Sequence, residues 1–152
     1  MRYKPAEFKI TRIRECSTTL EPPLIDTPEK ASAFWNEHVA KSDWYDPEKE
    51  AFCVLLLNTR RRIKGFNLVA LGNLDAVAVH PREVFRPAIV AVAAAMVLTH
   101  NHPSGEPTPS DADIKVTRDL IRAGQLLKIE VLDHVIIGNG NFSSLRSLGY
   151  FL

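Results

Sequence analysis

The sequence predicts an α/β sandwich with a mostly buried sheet, and three observations carry that expectation. The chain has 152 residues, 45% apolar and 24% charged, which is enough for one domain with a real core. Three strongly apolar stretches, "EAFCVLLLN", "AMVLTHN" and "IEVLDHVIIG", have the length and composition of buried strands. Between them lie stretches whose apolar residues recur at helical spacing, so strands and helices alternate.

In chain order, "EFKITRIRE" (7–15) alternates weakly and reads as a short edge strand. "LEPPLIDTPEK" is a turn-rich connector in which Thr27 and Pro28 form an N-cap and first helical position. The helix behind it is expected to run from 28 to about 41, with Ala31, Phe34, Trp35 and His38 near one face; His38 reads as solvated or packed. Residues 1–49 are therefore read as an N-terminal extension whose one helix packs on a main domain, 50–152. "EAFCVLLLN" is the first buried strand, "NTRRRIKG" a turn, and "IKGFNLVALG" its antiparallel partner. Arg60, Arg61 and Arg62 make the strongest basic cluster, either a solvated hairpin tip or a contact for phosphate or an acidic partner.

"HPREVFRPAIVAVAA" places Val84, Phe85, Ala88, Ile89 and Val92 on one helical stripe. Pro87 inside it predicts a kink or a fresh helix start. After the strand "AMVLTHN", "SDADIKVTRDLIRAGQLL" reads as a helix with Ile114, Leu120, Ile121 and Leu127 in the core and Gly124 as a weak stop signal. "IEVLDHVIIG" is the last buried strand, and "NGNFSSL" a turn into a short terminal helix.

Net charge is +1, so no strong overall field draws the chain to nucleic acid or to an anionic membrane. Cys16 and Cys53 form no CxxC pair; they read as small buried hydrophobes in a reducing compartment. The N-terminus lacks an apolar signal region, and the longest apolar run, 88–98, is too short to span a bilayer. A cytoplasmic protein is expected, and exposed edge strands make a homodimer an open option.

Chemistry concentrates in "THNHPSGEPTPSDAD". In extended chain, residues two apart share a face, so His100 and His102 can aim at one point, at the C-terminal end of an apolar strand, where α/β sites form. Pro103, Pro107 and Pro109 stiffen the following loop, and Gly105 permits a turn. Ser110 reads as a helix N-cap and Asp113, three residues on, falls in the first turn able to face the histidines. Asp111 reads as a first-turn charge favoured by the helix dipole. Two imidazoles and a carboxylate are a natural zinc set with a fourth position open for water, as in catalytic rather than structural sites. Each piece also has a bland reading: strand histidines are often packed, and Ser110 with Asp113 is a common capping pair.

Hydrolysis needs a proton acceptor as well. Glu50 opens a strand whose same-parity residues are Phe52, Val54 and Leu56, an inward face where a carboxylate is costly without a task. From the residues alone it reads equally as a proton acceptor or as a wet strand end beside Glu48.

These residues resemble a known pattern: a distal glutamate, then H-x-H-x7-S-x2-D. His100, His102, Ser110 and Asp113 fall on it in order, and "HNHPSG", "HPREVFRPAI" and "LLKIEVLDHVIIG" are similar to the RadC-like family of the JAMM/MPN+ metalloprotease group. The resemblance covers roughly 50–149. It implies a JAMM/MPN fold related to cytidine deaminases, with a mixed sheet flanked by helices. It implies one zinc ion on His100, His102 and Asp113, Glu50 as general base and later proton donor, and Ser110 as an oxyanion donor. The expected activity is zinc-dependent hydrolysis of an amide bond, peptide or isopeptide, in a protein or peptide substrate through a water that Glu50 activates. Longer relatives carry a helix-hairpin-helix module whose glycine-containing pattern residues 1–49 lack, so a short form is expected and a DNA-repair role loses weight. A nucleic-acid-binding or nuclease-like protein and a non-catalytic metal-bearing interaction module are the alternatives. Asn101 between the histidines does not make an HNH nuclease motif, whose residues are spread along a ββα unit. His80, before a proline at a helix start, reads as local; one of Asp133 and His134, on opposite strand faces, is a candidate partner for the metal ligands.

Overall fold

In the computed structural model, which describes residues 4–6, 21–72 and 79–151, five strands form one mixed sheet in the order β2-β1-β3-β4-β5. They are β1 (Glu50–Leu57), β2 (Ile63–Gly72), β3 (Ala95–Asn101), β4 (Glu130–Ile137) and β5 (Phe142–Ser144), and the helices are α1 (Pro28–Glu37), α2 (Pro81–Val90) and α3 (Asp111–Leu127). β1 runs antiparallel to β2 and to β3, β3 and β4 are parallel, and β4 is antiparallel to β5. The strand expected over 7–15, and Cys16, lie outside the described residues.

The central strands are largely apolar because both faces are covered. Cys53, Leu55, Leu57, Val97, Val135 and Ile137 pack under Phe34 and Trp35 of α1. Phe52, Val54, Leu56, Met96 and Leu98 pack under Val84, Phe85 and Ala88 of α2 and Val116 and Leu120 of α3. Each such side chain fully removed from water contributes ~1.5–3 kcal/mol, so this alternation holds the three layers together. Trp35 and Val39 are completely buried, which ties α1 to the sheet.

Four local expectations change. The first helix stops at Glu37, not near 41: His38 leaves helical geometry at φ −125 and ψ −55, and a 3-10 turn, Val39–Lys41, lets Val39 drop into the core. Along α2 the stripe Val84, Phe85, Ala88 is buried, but Ile89 and Val92 are 52% and 72% exposed. α2 carries Pro87 within its last turn and ends at Val90, and Val92 sits beyond it at φ 55, so the helical phase no longer applies there. Leu127 is likewise exposed: it is the last residue of α3, just before Lys128 turns the chain in left-handed conformation. Gly124 is instead a close-approach point within the helix, where a Cβ would stand 2.5 Å from the Ile129 carbonyl oxygen. Finally, "NGNFSSL" forms β5 rather than leading into a helix. Gly140 at φ 73 turns the chain and the Gly138 N–H meets the Asn141 carbonyl at 2.9 Å, returning Phe142–Ser144 along β4.

This topology sets the site. The C-terminal end of β3 lies beside the N-terminal end of β1, with Phe52 paired to His100. Glu50 opens β1 at this same end of the sheet, next to Ala51, whose N–H is held by Asn101. The hairpin tip bearing Arg60, Arg61 and Arg62 is at the other end, since Leu57 pairs with Ala95 where β3 begins.

Candidate metal centre

His100, His102 and Asp113 converge at the end of β3. His100 Nε2 and His102 Nε2 are 3.0 Å apart, His100 Nε2 is 3.3 Å from Asp113 Oδ1, and His102 Nε2 is 3.2 Å from Asp113 Oδ2. A tetrahedral cation with ~2.0–2.1 Å bonds separates its donor atoms by roughly 3.3–3.4 Å, so the three groups fit one small divalent ion. They form a cluster of His and carboxylate groups that could hold a metal ion. His100 and Asp113 are closed off from solvent while the His102 side chain is 13% exposed, so access is from the His102 side.

Each of the three side chains is oriented by local structure. Asp113 occupies the third position of α3 in a reciprocal capping box: its N–H donates to Ser110 Oγ at 3.1 Å and its Oδ2 accepts from the Ser110 N–H at 2.9 Å. This places its carboxylate in the first turn, where the helix dipole favours negative charge. His102 donates from Nδ1 to the Glu106 carbonyl at 2.8 Å, and because a carbonyl only accepts, Nε2 is the lone-pair nitrogen of the neutral ring. The 103–109 loop that supplies this carbonyl is docked on the β4–β5 turn. The Asn139 N–H donates to the Gly105 carbonyl at 2.9 Å, Ser143 Oγ donates to the Pro107 carbonyl, and a Cβ on Gly138 would stand 2.5 Å from the Gly105 carbonyl oxygen.

Behind His100 lies a buried polar chain. His100 Nδ1 is 2.7 Å from His134 Nε2, and His134 Nδ1 is 2.6 Å from Thr117 Oγ1. Phe52 stacks on the His100 ring at 5.9 Å and meets His134 edge-on, sealing this chain from the strand side. Of the two candidates Asp133 and His134, then, it is His134 that backs the ligands. Asp133 points to the other face, where it accepts from Ser144 Oγ at 2.6 Å and from the Arg146 N–H at 3.1 Å, tying the C-terminal turn to β4.

The charges follow this geometry. Burial works against the Asp113 carboxylate, but its contacts with the His100 and His102 rings outweigh it and hold the acid well below the usual carboxylate range. The bond to Asp113 raises the His102 value, burial opposing it, and the charge of Glu50 adds to the rise. Glu50 therefore acts electrostatically on His102. Complete burial pushes His134 well below an ordinary histidine, keeping it neutral. Cys53, on the α1 side of the sheet, has its thiol pushed up to about 12 by burial and is not part of the site.

Asn101, between the two histidines, holds the chain on either side of Glu50: its Oδ1 accepts from the Ala51 N–H at 2.8 Å and its Nδ2 donates to the Lys49 carbonyl at 2.9 Å. Sequence reasoning missed this clamp and missed Thr117. The signal for Thr117 was available, since it lies four residues after Asp113 and so shares its helix face. His80 is exposed at the start of α2, and His38 is exposed against Phe34. Arg61 is 3.5 Å from Glu130 and Arg62 is 3.1 Å from Glu21, so two of the three clustered arginines are engaged in ion pairs away from the metal cluster.

A family model described as a RadC-like JAB domain matches residues 25–150. The chain belongs to this RadC-like JAB family. The match takes in α1 as well as the sheet. Among relatives, a UPF0758 protein of Desulforudis audaxviator is 42% identical over 146 residues, covering 96% of this chain and 61% of the relative. A UPF0758 protein of Desulforamulus reducens is 50% identical over 107 residues, 70% of this chain and 47% of the relative. One from Moorella thermoacetica is 52% identical over 99 residues, 65% and 43% respectively. This RadC-like chain thus spans no more than 61% of these relatives' length. Among the described residues, no helix is long and apolar enough to cross a membrane.

Proposed function

We propose that this RadC-like chain is a zinc-dependent hydrolase that cleaves a peptide or isopeptide bond in a protein or peptide substrate. The observation that supports it most is the convergence of His100, His102 and Asp113 at 3.0–3.3 Å, at the end of the sheet where Glu50 opens β1. His100, His102 and Asp113 would hold the zinc, which when bound supplies a Lewis acid that polarises the scissile carbonyl and acidifies a water. Glu50 accepts one proton from the attacking water. The water oxygen bonds to the carbonyl carbon, the carbon–nitrogen bond breaks, and Glu50 returns the proton to the departing amine. Ser110 uses its Oγ lone pair for the cap, so its O–H is available to donate to the carbonyl oxygen as negative charge develops there. Residues 50–152 would form the catalytic unit, with α1 of the preceding segment packed against it. A buried free thiol at Cys53 suits a reducing, cytoplasmic setting.

The nucleic-acid reading draws on the Arg60, Arg61 and Arg62 cluster, but Arg61 and Arg62 already face carboxylates at the end of the sheet away from His100. The interaction-module reading keeps the metal but gives Glu50 no task. A panel of peptide and isopeptide substrates tests all three, with Glu50→Gln as control. Hydrolysis by the zinc-loaded protein that is lost in E50Q with zinc retained is the expected result. Equal activity in E50Q removes Glu50 from the mechanism. Zinc binding with no turnover across the panel favours the interaction module, and steeply salt-dependent DNA binding favours the nucleic-acid reading.

A further inference from the structure

We infer that His134 is a positioning residue that fixes the proton on His100 Nδ1, so that the Nε2 lone pair of His100 faces the cluster. Thr117 sets the direction of the buried chain. Its Oγ1 is 2.6 Å from the Asp113 backbone carbonyl oxygen and 2.6 Å from His134 Nδ1. A hydroxyl has one proton and can accept twice, whereas a carbonyl only accepts. Two oxygens at that separation need a proton between them, so the Thr117 hydroxyl donates to Asp113. His134 Nδ1 must then carry hydrogen and donate to Thr117.

A neutral imidazole has one donor and one acceptor nitrogen, so His134 Nε2 is the acceptor. It is 2.7 Å from His100 Nδ1, and His100 donates to it. The outcome is one directed chain, from His100 to His134 to Thr117 to the backbone of Asp113, which starts on one ligand and ends on another. His102 reaches the same state independently through the Glu106 carbonyl. In their neutral forms both rings thus offer Nε2 toward Asp113 with Nδ1–H donated behind, an arrangement that raises ligand basicity and holds ring orientation. The reversed chain would leave the Thr117 and Asp113 oxygens facing each other without a proton and would put the His100 proton on Nε2, toward His102. His134 and Thr117 are fully buried, so no solvent is at hand to rescue a wrong proton arrangement.

The effect on metal affinity rests on the zinc reading above; the proton arrangement does not. Two measurements therefore separate the failures. Long-range proton–nitrogen correlation of the histidine rings in the wild-type protein, with and without zinc, should show hydrogen on Nδ1 and none on Nε2 for His134. The opposite tautomer overturns the inference whether or not zinc binds. In zinc titrations His134→Phe, which keeps the ring and removes the acceptor, should weaken binding by ~10–100-fold. His134→Gln, whose amide offers both an acceptor and a donor, should retain most of the affinity. Wild-type affinity in H134F overturns the role, whereas a wild-type protein that takes up no zinc defeats the hydrolase proposal alone. Should H134F fail to fold, Thr117→Val gives the matching test: loss of its acceptor should free the His134 ring to populate both tautomers, and an unchanged single tautomer would count against the chain.

Discussion

The side-chain oxygen of Asn101 accepts the backbone N–H of Ala51 at 2.8 Å, across 50 residues of sequence. With the bond from Nδ2 to the Lys49 carbonyl, it locks the start of β1 to the residue between the two histidines. The position of the proposed base is thereby coupled to the position of the ligands. Asn101→Ala should leave two backbone groups short of partners at a cost of ~1–3 kcal/mol each when they stay dry, lowering the denaturation midpoint. It should also depress turnover more than it depresses zinc content, because the ligands themselves remain. Unchanged stability together with unchanged turnover would show that the clamp has no such role.

Capping and ligation are separable at the start of α3. Ser110→Ala removes the cap acceptor and should cost ~0.5–2 kcal/mol, with zinc still bound stoichiometrically. Asp113→Asn keeps an oxygen for the Ser110 N–H but loses the charge that His100 and His102 favour, so metal-free stability should fall as well, while zinc affinity falls sharply. Elemental analysis and thermal unfolding of both variants check this; full zinc occupancy in D113N would remove Asp113 from the ligand set.

The rise in the His102 value, caused first by Asp113, has a defined sign. A raised histidine holds its proton to higher pH, and zinc must displace that proton from Nε2. The shift in melting temperature on adding zinc should therefore grow as pH increases through and somewhat above the ordinary histidine value of ~6.5, then level off once His102 is neutral. Metal-free His102 works in the other direction: its attraction to Asp113 stabilises the fold below its unfolded value and is lost as pH rises through the raised one. Melting curves from pH 5.5 to pH 8.5, with zinc and with chelator, test this pair of trends. A zinc-induced shift that does not change with pH would contradict it.

Gly138 controls the loop that orients His102. A methyl group there would meet the Gly105 carbonyl oxygen at 2.5 Å, displacing the segment that carries the Glu106 carbonyl. Gly138→Ala should lose stability by ~1–3 kcal/mol and weaken zinc binding although it alters no ligand. Calorimetric unfolding and zinc titration of G138A check both; wild-type values would mean the loop yields freely.

The strand limits of β1 and β3 were legible because buried strands flanked by polar turns leave little freedom, and those of half-exposed β2 because it returns from β1 through a polar turn. The Ser110 cap and Asp113 were legible because their spacing is a local helix rule. The hairpin at Gly140 was misread because Phe142, Ser143 and Ser144 are too short a run for periodicity, although "NGN" is itself a turn signal. Ile89 and Leu127 lie in the last turns of α2 and α3, and a helical stripe does not encode where the cover over it ends. The two ties that orient the centre, Asn101 to β1 and His134 to Thr117, are long-range side-chain contacts. The sequence holds their donors and acceptors, but only the register of β3 against β1 and β4 brings them together.

The most direct test is anomalous scattering at the zinc absorption edge from crystals of the zinc-loaded protein. One peak within bonding distance of His100 Nε2, His102 Nε2 and the Asp113 carboxylate is the predicted result. Zinc bound elsewhere, or no peak between these three side chains at saturating zinc, would contradict the proposed centre and the hydrolysis built on it.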